Sequence, residues 1–401
     1  MEAYFLTWAG LLVRWAHIIT GIAWIGSSFY FMWLDARLNR PPRDPESPDI
    51  EGDLWAVHGG GFYHAQKYQV APQVLPEPLH WFKWEAYWTW ITGFALLSIV
   101  YYKNPQAYLI DPEVLDLVPW QAVAISGVLI LLGWLIYQLL CALPISRAVL
   151  ALSGALAVLL LCWGVSQVFS GRGAFIQVGI MLGSIMVANV FFVIIPSQKV
   201  LVEAKQRGNP PDAKLGVSAK LRSTHNNYLT LPVVLVMISP HYPLLYTHEW
   251  NWLLLFLLFL AGALVRHFFN ERNRGRTSLL FPALALLLVL LMVYWLAPHN
   301  KGLQVEQNGV HGSESMAAVN AIVRRRCQPC HSRHTTHPSA PVAQGGVELD
   351  SASDIAKWAE RIRARAVITR SMPLANLTHM TEAERTVLAN WFAAGEPGLP
   401  E

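Results

Sequence analysis

Eight apolar segments of about twenty residues dominate the first three quarters of the chain. A helix needs about twenty apolar residues to cross the hydrocarbon core of a bilayer. Of the 401 residues, 54% are hydrophobic and only 14% are charged. The pattern therefore predicts an all-α, polytopic membrane helix bundle with about eight transmembrane helices. The expected spans are Phe5–Leu34, Tyr87–Tyr102, Trp120–Leu140, Ala148–Phe169, Phe175–Ile195, Tyr228–Ser239, Trp250–Phe269 and Ser278–Ala297.

After the last apolar segment, Cys327 and Cys330 form a C-x-x-C-H motif that ends at His331. Two thiols at this spacing can add to the two vinyl groups of one porphyrin, and the adjacent imidazole can bind the iron. A zinc site would need two further nitrogen or sulfur ligands, and the other two cysteines lie far away in apolar segments. A redox dithiol of the thioredoxin type would need a βαβ context, which the sequence lacks. The motif therefore predicts a covalently bound haem c.

The residues around this motif predict a small class I cytochrome c domain over residues 315–401, joined by a linker over 299–314 to a membrane domain over 1–298. Helices are expected at about 316–326, 351–367 and 381–394, and S-x-x-D and T-x-x-E capping boxes open the last two. Methionine commonly provides the second axial ligand of haem c. Met372, which precedes a proline in a loop, is the expected ligand; Met380 is the alternative, but it lies against the last helix.

Lys and Arg residues are distributed unevenly among the loops. Haem c is attached on the outer side of the bacterial inner membrane, so the cytochrome domain is expected in the periplasm. With eight spans, fifteen Lys and Arg residues then fall in cytoplasmic loops and only Lys103 and Arg172 in periplasmic ones. The positive-inside rule therefore agrees, and the N-terminus is also expected in the periplasm. The formal net charge of +4 requires no nucleic-acid partner.

The first span places Arg14, His17, Gly21 and Trp24 on one face of a helix. Such a polar face is costly in lipid and is expected to face other helices. Two interpretations of His17 stay open: a hydrogen bond to a neighbouring helix, or axial ligation of a non-covalent haem b. His241, at the expected periplasmic end of the sixth span, is the second candidate ligand of a haem b.

A second polar group is expected at the cytoplasmic side. It consists of His58, His64, His225, Asn226, Asn227, Arg266 and His267. Three glycines follow His58, and glycine backbone N–H groups can approach and hold an anion, although a glycine run is also the ordinary composition of a turn. Each histidine alone could be a hydrogen-bonded interface residue, but their clustering favours a site.

Four stretches together resemble the bacterial membrane-bound urate oxidases that are fused to cytochrome c. They are RWAHIITGIAWIGSSFYF, HGGGFYHAQKYQVAP, STHNNYLTLPVVLVMISPHYP and the C-x-x-C-H tail. The resemblance implies oxidation of urate to 5-hydroxyisourate in purine catabolism. It also implies transfer of the electrons to the haem c, then to a soluble cytochrome c or a terminal oxidase. The first span resembles membrane haem b proteins of the protoporphyrinogen-oxidising type, which favours haem b at His17.

Urate is a planar anion, and we expect it to bind the cytoplasmic polar group. Glycine N–H groups with Lys67 or Arg266 would hold the anion, the asparagines would bind its amide edges, and His64 or His225 would accept a proton. The candidate catalytic residues are His64, His225, Asn226 and Arg266, and the candidate substrate-binding residues are His58, Gly59, Gly60, Gly61, Lys67, Asn227 and His267.

Two other functions stay open from the sequence alone. One is a quinone- or cytochrome-linked membrane dehydrogenase for another small reductant, which a substrate screen that follows haem c reduction would identify. The other is a non-catalytic membrane protein that transfers electrons or delivers haem, for which no purine would reduce the tail.

Overall fold

The structure, a computed structural model, describes residues 2–39, 50–69, 71–72, 74–297, 316–337, 340 and 343–398. The predicted linker, residues 299–314, lies outside these described residues. In chain order the elements are α1 Glu2–Arg37, β1 Ile50–His58, β2 Gly61–Tyr68, α2 Trp84–Leu96, α3 Pro105–Tyr108, α4 Pro119–Ala142, α5 Arg147–Ser166, α6 Gly171–Ala188, α7 Ile195–Gln206, α8 Ala213–Ile238, α9 Pro243–Tyr246, α10 Asn251–Asn273, α11 Leu280–Leu296, α12 Met316–Arg326, α13 Ala352–Ile362 and α14 Glu382–Ala393.

Three of these helices continue without a break into a π-helical turn. These turns are Leu97–Tyr102 after α2, Asn189–Ile194 between α6 and α7, and Arg363–Ile368 after α13. A π-helical turn accommodates an extra residue in a helix and often occurs at functional sites.

The fold is mostly helical, as predicted, and several helices suit a membrane. Among the described residues, five helical segments are long and apolar enough to cross one: Trp8–Arg37, Pro119–Ala142, Arg147–Ser166, Gly171–Gln206 and Asn251–Asn273. The apolar helix α11 is shorter. Each of the eight segments expected from the sequence overlaps a helix. The agreement is looser for the fifth and sixth segments, because the helical run from α6 continues to Gln206 and α8 begins at Ala213 rather than at Tyr228. A total of eight spans stays a prediction.

Helix α6 lies at the centre of the bundle. It packs against α4, α5 and α8, and its side chains Phe175, Val178 and Met181 are buried. Helices α4 and α5 instead expose large apolar side chains such as Leu139 and Leu152 on their outer faces. This distribution, with apolar residues both inside and outside, is consistent with helices that cross a membrane.

Strands β1 and β2 form an antiparallel hairpin that the all-α expectation missed. Gly59 and Gly60 form its turn with φ of 58° and 80°, a backbone conformation in which glycine is favoured. Trp55 lies opposite His64 in the register. A glycine pair between two strand-like runs is the sequence signal for such a hairpin, and the structure agrees with the turn interpretation of these glycines.

The hairpin and the tail lie at opposite ends of the bundle. The hairpin follows the end of α1, and we call this the hairpin end. Helix α2 runs antiparallel to α1 and leads to α3, which contacts the turn Leu374–Asn376 of the tail; we call this the tail end.

The tail folds around its own apolar core. Val323 from α12, Ile355 from α13, and Leu388 and Trp391 from α14 are each at most 1% exposed. The helices that were expected here are confirmed, and so are both capping boxes, at Ser351 and Thr381.

Candidate functional site

Six polar side chains are buried in the hairpin half of the bundle, each no more than 7% exposed. They are Asn189, Arg222, Asn226, Asn227, Arg266 and Asn270, and we call them the inner polar cluster. Burial of a polar group is costly unless its hydrogen bonds are satisfied. So many polar groups between apolar helices therefore indicate a site.

One half of the inner polar cluster joins α8 to α10. The Oδ1 atom of Asn227 accepts hydrogen bonds from Arg266 Nε at 2.9 Å and from Asn270 Nδ2 at 3.0 Å. The Arg266 guanidinium carbon lies 3.8 Å from the centre of the Phe29 ring on α1. These contacts fix the plane of the guanidinium group.

The other half joins the π-helical turn after α6 to α8. Asn189 Nδ2 donates to Tyr137 Oη at 3.0 Å and to Asn226 Oδ1 at 2.9 Å. Asn226 Nδ2 donates to the carbonyl oxygen of Met186 at 2.9 Å. Asn189 is thus held at the start of a π-helical turn, where its amide links α4 to α8.

His225 lies beside this second half. Tyr137 Oη is 2.8 Å from His225 Nδ1. The Tyr137 oxygen also accepts a hydrogen bond from Asn189, and its hydroxyl group donates to His225 Nδ1 when that nitrogen carries no proton. Arg222 stacks on the Tyr137 ring at 4.8 Å and donates to Gln138. The result is a connected chain of polar groups that ends at the imidazole.

Five atoms of the inner polar cluster have no hydrogen-bond partner within the described residues. They are the donors Arg222 Nη1, Asn227 Nδ2 and Arg266 Nη2 and the acceptors Asn189 Oδ1 and Asn270 Oδ1. Leaving such atoms unpaired costs about 1–3 kcal/mol each. A ligand with both carbonyl oxygens and N–H groups would satisfy them.

A pocket of about 200 Å³ lies next to the cluster, and Asn270 belongs to both. Its other lining residues are Met32, Asp35, Ala36 and Arg274. Asp35 accepts a hydrogen bond from Lys67 of the hairpin at 2.6 Å and another from Lys220 of α8. The pocket therefore lies at the hairpin end, beneath an ion-paired carboxylate.

Lys67 is engaged by carboxylates. Its Nζ atom lies 2.6 Å from Asp35 and 2.8 Å from Glu51. Partial burial alone would lower the pKa of Lys67, but these two carboxylates outweigh it and raise that pKa. Lys67 is therefore charged and already neutralised, which argues against its predicted role as the cation that holds the substrate.

The hairpin keeps the other loop candidates apart from the cluster. His64 bonds Asp53 at 2.7 Å and stacks on Trp55 at 4.3 Å. His58, Gly59 and Gly60 are exposed at the turn, and Gly61 opens β2. None of the described contacts joins these residues to the inner polar cluster. By contrast, the structure brings the predicted residues Asn226, Asn227 and Arg266 together, with His225 beside them.

His267 and the candidate haem b ligands occupy separate positions. His267 Nδ1 is 2.7 Å from Tyr228 Oη. His17 Nδ1 is 3.0 Å from both Thr89 O and Thr92 Oγ1 on α2. Its ring lies so close to Gly93 that a methyl group there would be 2.9 Å from His17 Cε1.

These contacts agree with the interface interpretation of His17. His241 is exposed in the turn after α8, and no described contact joins it to His17. The contact of His17 Nδ1 with the Thr89 carbonyl oxygen leaves Nε2 available, so ligation of a haem b by His17 and His241 stays a prediction.

The tail brings together the residues that would hold a haem c. The backbone N–H groups of Cys330 and His331 both donate to the carbonyl oxygen of Cys327, at 3.1 and 2.9 Å. His331 Nδ1 is 3.3 Å from the carbonyl oxygen of Val347. A carbonyl oxygen only accepts, so the proton lies on Nδ1 and the Nε2 lone pair stays available for a metal.

Burial affects all three groups of this motif. It raises the pKa of Cys327 to about 12, raises that of Cys330, and lowers that of His331. A neutral imidazole and two unpaired thiols are the forms expected before haem attachment, so the residues fit the group. Met380, the alternative ligand, is buried in the tail core as expected, whereas Met372 is half-buried in its loop.

Sequence reasoning missed Asn189, Asn270, Arg222 and Tyr137. Asn189 had a readable signal, because an amide in the middle of an apolar run is unusual in lipid. Arg222 was counted with a loop, but it is buried within α8.

Comparison with known proteins adds one finding. A family model described as urate oxidase N-terminal matches residues 3–297. A search of curated proteins and a search of solved structures found no match.

Proposed function

This chain belongs to the urate oxidase N-terminal family, and we propose that it oxidises urate to 5-hydroxyisourate at the bacterial inner membrane. The electrons would pass to a haem c on its own tail and then to the respiratory chain. A urate-related function and an oxidoreductase activity follow from the family, and the membrane location accords with the long apolar helices.

The five unpaired atoms of the inner polar cluster are the observation that carries this proposal. Urate has three carbonyl oxygens and several ring N–H groups in one plane. Its oxygens would accept from Arg266, Asn227 and Arg222, and its N–H groups would donate to Asn189 and Asn270. Such a site would bind a purine better than an apolar ring, because a ligand without these groups would leave the buried atoms unpaired.

The charge of the cluster also suits urate. Among the described ion pairs, neither Arg222 nor Arg266 has a carboxylate partner, yet both are at least 93% buried. A buried cation without a counter-charge is costly, so an anionic ligand would stabilise the site. The planar guanidinium group suits recognition of a carbonyl edge.

The pocket beside Asn270 provides the route to this site. It lies at the hairpin end, which we expect to face the cytoplasm because of the loop charges. Asp35, with its two lysine partners, borders the route. Urate would therefore enter from the compartment in which purines are degraded.

The reaction balances with one water molecule. Urate anion and water give 5-hydroxyisourate, one proton and two electrons. A new carbon–oxygen bond forms at C5, with the oxygen supplied by water, and a water proton must be accepted. His225 Nδ1 would receive a proton through the Tyr137 hydroxyl, to which it is hydrogen bonded.

Cys327, Cys330, His331 and Met372 would hold the haem c. This group, when bound, would supply a one-electron acceptor. Because the electrons from urate would pass to a protein-bound acceptor and not directly to oxygen, the reaction would not need to form peroxide.

Replacement of Arg266 tests the substrate site. We expect Arg266→Gln to raise KM for urate by about 10- to 100-fold, because it removes the buried cation and one donor. The matched control is Arg276→Gln, which removes the same charge from an exposed side chain near the end of α10. The measurement is urate consumption by purified full-length protein in detergent, alongside haem staining of a denaturing gel.

Wild-type kinetics in Arg266→Gln, with haem staining intact, would remove the inner polar cluster from the proposal. A screen of other small reductants, each assayed by reduction of the tail, tests the reaction itself. Reduction by another reductant but not by urate would favour the dehydrogenase alternative. Reduction by none would favour a protein that only transfers electrons.

A further inference from the structure

Arg385 is a buried arginine in the tail that the proposed reaction does not use. It lies on α14 and is only 7% exposed. Its Nη1 atom donates to the carbonyl oxygen of Met372 at 3.0 Å and also to that of Ala366. One guanidinium nitrogen therefore joins the last helix to the end of the preceding π-helical turn and to the methionine loop.

Both main-chain polar groups of Met372 are engaged. Its N–H donates to the carbonyl oxygen of Arg365 at 3.0 Å, and its own carbonyl oxygen accepts from Arg385. Next to it, Thr369 Oγ1 and Ser371 Oγ are 3.0 Å apart, and Ser371 is buried. Because the backbone is held on both sides, the direction in which the Met372 side chain leaves it is restricted.

Arg385 is not held by a close carboxylate. Its nearest acidic partner is Glu382, at 4.0 Å, and the Glu382 side chain is 70% exposed. A buried charge is costly when its counter-charge is distant, and two main-chain carbonyl groups only partly offset that cost. A contribution to the stability of the tail therefore does not by itself explain why a buried arginine occupies position 385.

We propose that Arg385 is a positioning residue that holds Met372 as the second axial ligand of haem c. This inference rests on the part of the proposed function in which the tail binds haem through Cys327, Cys330 and His331. It adds a residue outside the motif, on a different helix, that fixes the ligand loop. Loss of the guanidinium group would free the loop while the covalent attachment of the haem stays intact.

The structure provides a matched control. Arg370 lies in the same loop, is 58% exposed and pairs with Glu382 at 3.0 Å. Arg370→Gln removes the same charge from the same part of the tail without touching the Met372 carbonyl group. Met372→Ala serves as the reference for complete loss of the ligand.

The experiment compares wild-type protein, Arg385→Gln, Arg370→Gln and Met372→Ala, each as the full chain in detergent. Three readouts are independent of urate: the far-red absorption band of ferric haem with a sulfur ligand, carbon monoxide binding by the ferrous form, and the reduction potential. We expect Arg385→Gln to retain stained haem but to lose the far-red band, bind carbon monoxide and have a lower potential, as Met372→Ala does. Arg370→Gln should resemble wild type.

A far-red band and no carbon monoxide binding in Arg385→Gln would overturn the proposal. If that variant does not accumulate, Arg385→Lys decides: partial carbon monoxide binding supports the proposal and wild-type behaviour overturns it. Two results for wild-type protein separate this inference from the proposed function. Absence of stained haem contradicts the proposed function, whereas haem without a far-red band excludes Met372 as ligand and this inference with it.

Discussion

At the scale of single residues, Asn227 shows how one side chain organises several others. Its amide oxygen accepts from both Arg266 and Asn270, which leaves its amide nitrogen free to donate. A leucine here would have similar volume but would remove an acceptor from two buried donors. The geometry of the inner polar cluster therefore depends on an amide that is itself fixed by its neighbours.

Gly93 gives a prediction about packing between α1 and α2. Gly93→Ala places a methyl group 2.9 Å from His17 Cε1. The His17 ring cannot move away without losing its hydrogen bonds to Thr89 and Thr92. We expect a loss of about 1–3 kcal/mol in stability, as for other overpacked sites, measured as a lower thermal midpoint in detergent.

Gly127→Ala is the control for this packing effect. Gly127 lies within α4, and an added methyl group there would meet nothing within 4 Å. Alanine favours a helix more than glycine does, so this variant should be neutral or slightly stabilised. Equal thermal midpoints for the two variants would contradict this prediction. They would show that the close contact between His17 and Gly93 does not contribute to stability.

The sequence predicted part of the site. Asn226, Asn227 and Arg266 could be grouped because they interrupt apolar runs at similar expected depths. Asn189 interrupts an apolar run and was open to suspicion for that reason, but its contact with Asn226 depends on how α6 and α8 cross. The contact of Asn270 with Asn227 depends likewise on how α8 and α10 cross.

At the scale of elements, α14 shows how the tail secures its last helix. Glu384 closes the capping box, because its carboxylate accepts from the N–H of Thr381 at 2.8 Å. The same carboxylate accepts from Arg326 Nε at 2.9 Å, and Arg326 also donates to the carbonyl oxygen of Thr378. One carboxylate thus stabilises the start of α14 and ties it to the end of α12.

This arrangement predicts a pH dependence. Partial burial by itself would raise the pKa of Glu384, but the Thr381 N–H and Arg326 outweigh it, and the pKa lies below its ordinary 4.5. Because the folded-state pKa is depressed, the contribution to stability is complete above pH 4.5 and is lost as the pH falls through the lower value. Glu384→Gln should cost about 1–3 kcal/mol at neutral pH and progressively less in acid.

Urea unfolding of the full chain at several pH values, read by proteolytic release of tail fragments, measures this effect. Glu360→Gln on α13 is the control, because Glu360 is exposed and should leave the tail's stability close to wild type. If the loss of unfolding free energy in Glu384→Gln stayed constant down to pH 3, the pKa argument would be contradicted.

Among the elements, the helices were predictable and the hairpin was not assigned. Long apolar runs have few alternatives to a helix in lipid, and capping boxes at Ser351 and Thr381 located two starts in the tail. The glycines at 59 and 60 allowed two interpretations, a turn or an anion loop, and only the register of β1 with β2 decided between them.

At the scale of the whole molecule, the candidate substrate site and the candidate haem site occupy opposite ends. The inner polar cluster lies in the hairpin half, whereas the tail contacts α3 through Leu374–Asn376. Oxidation at one end and electron release at the other would suit a protein that spans a membrane.

The loop charges give a prediction about orientation. With Arg222 buried in α8, fourteen of the fifteen Lys and Arg residues remain in the loops that the sequence assigns to the cytoplasm, against two in the periplasmic loops. The positive-inside rule then puts the tail in the periplasm. Trypsin added to intact spheroplasts should remove a C-terminal tag, whereas the loops at the hairpin end should be cut only after lysis.

Inside-out vesicles provide the converse measurement, in which the hairpin-end loops should be cut and the tag retained. Protection of the tag in spheroplasts together with its loss in inside-out vesicles would place the tail in the cytoplasm. Haem attachment outside the membrane would then be excluded.

The π-helical turn Asn189–Ile194 makes the register of the sixth and seventh helices depend on a single residue. Deletion of one residue between Val190 and Ile194 would convert this turn to an ordinary α-helical one. Everything beyond it, including Ile195–Gln206, would rotate by about 100° relative to α6. A shortened chain could stay helical and apolar throughout and still present a different face of α7 to its neighbours.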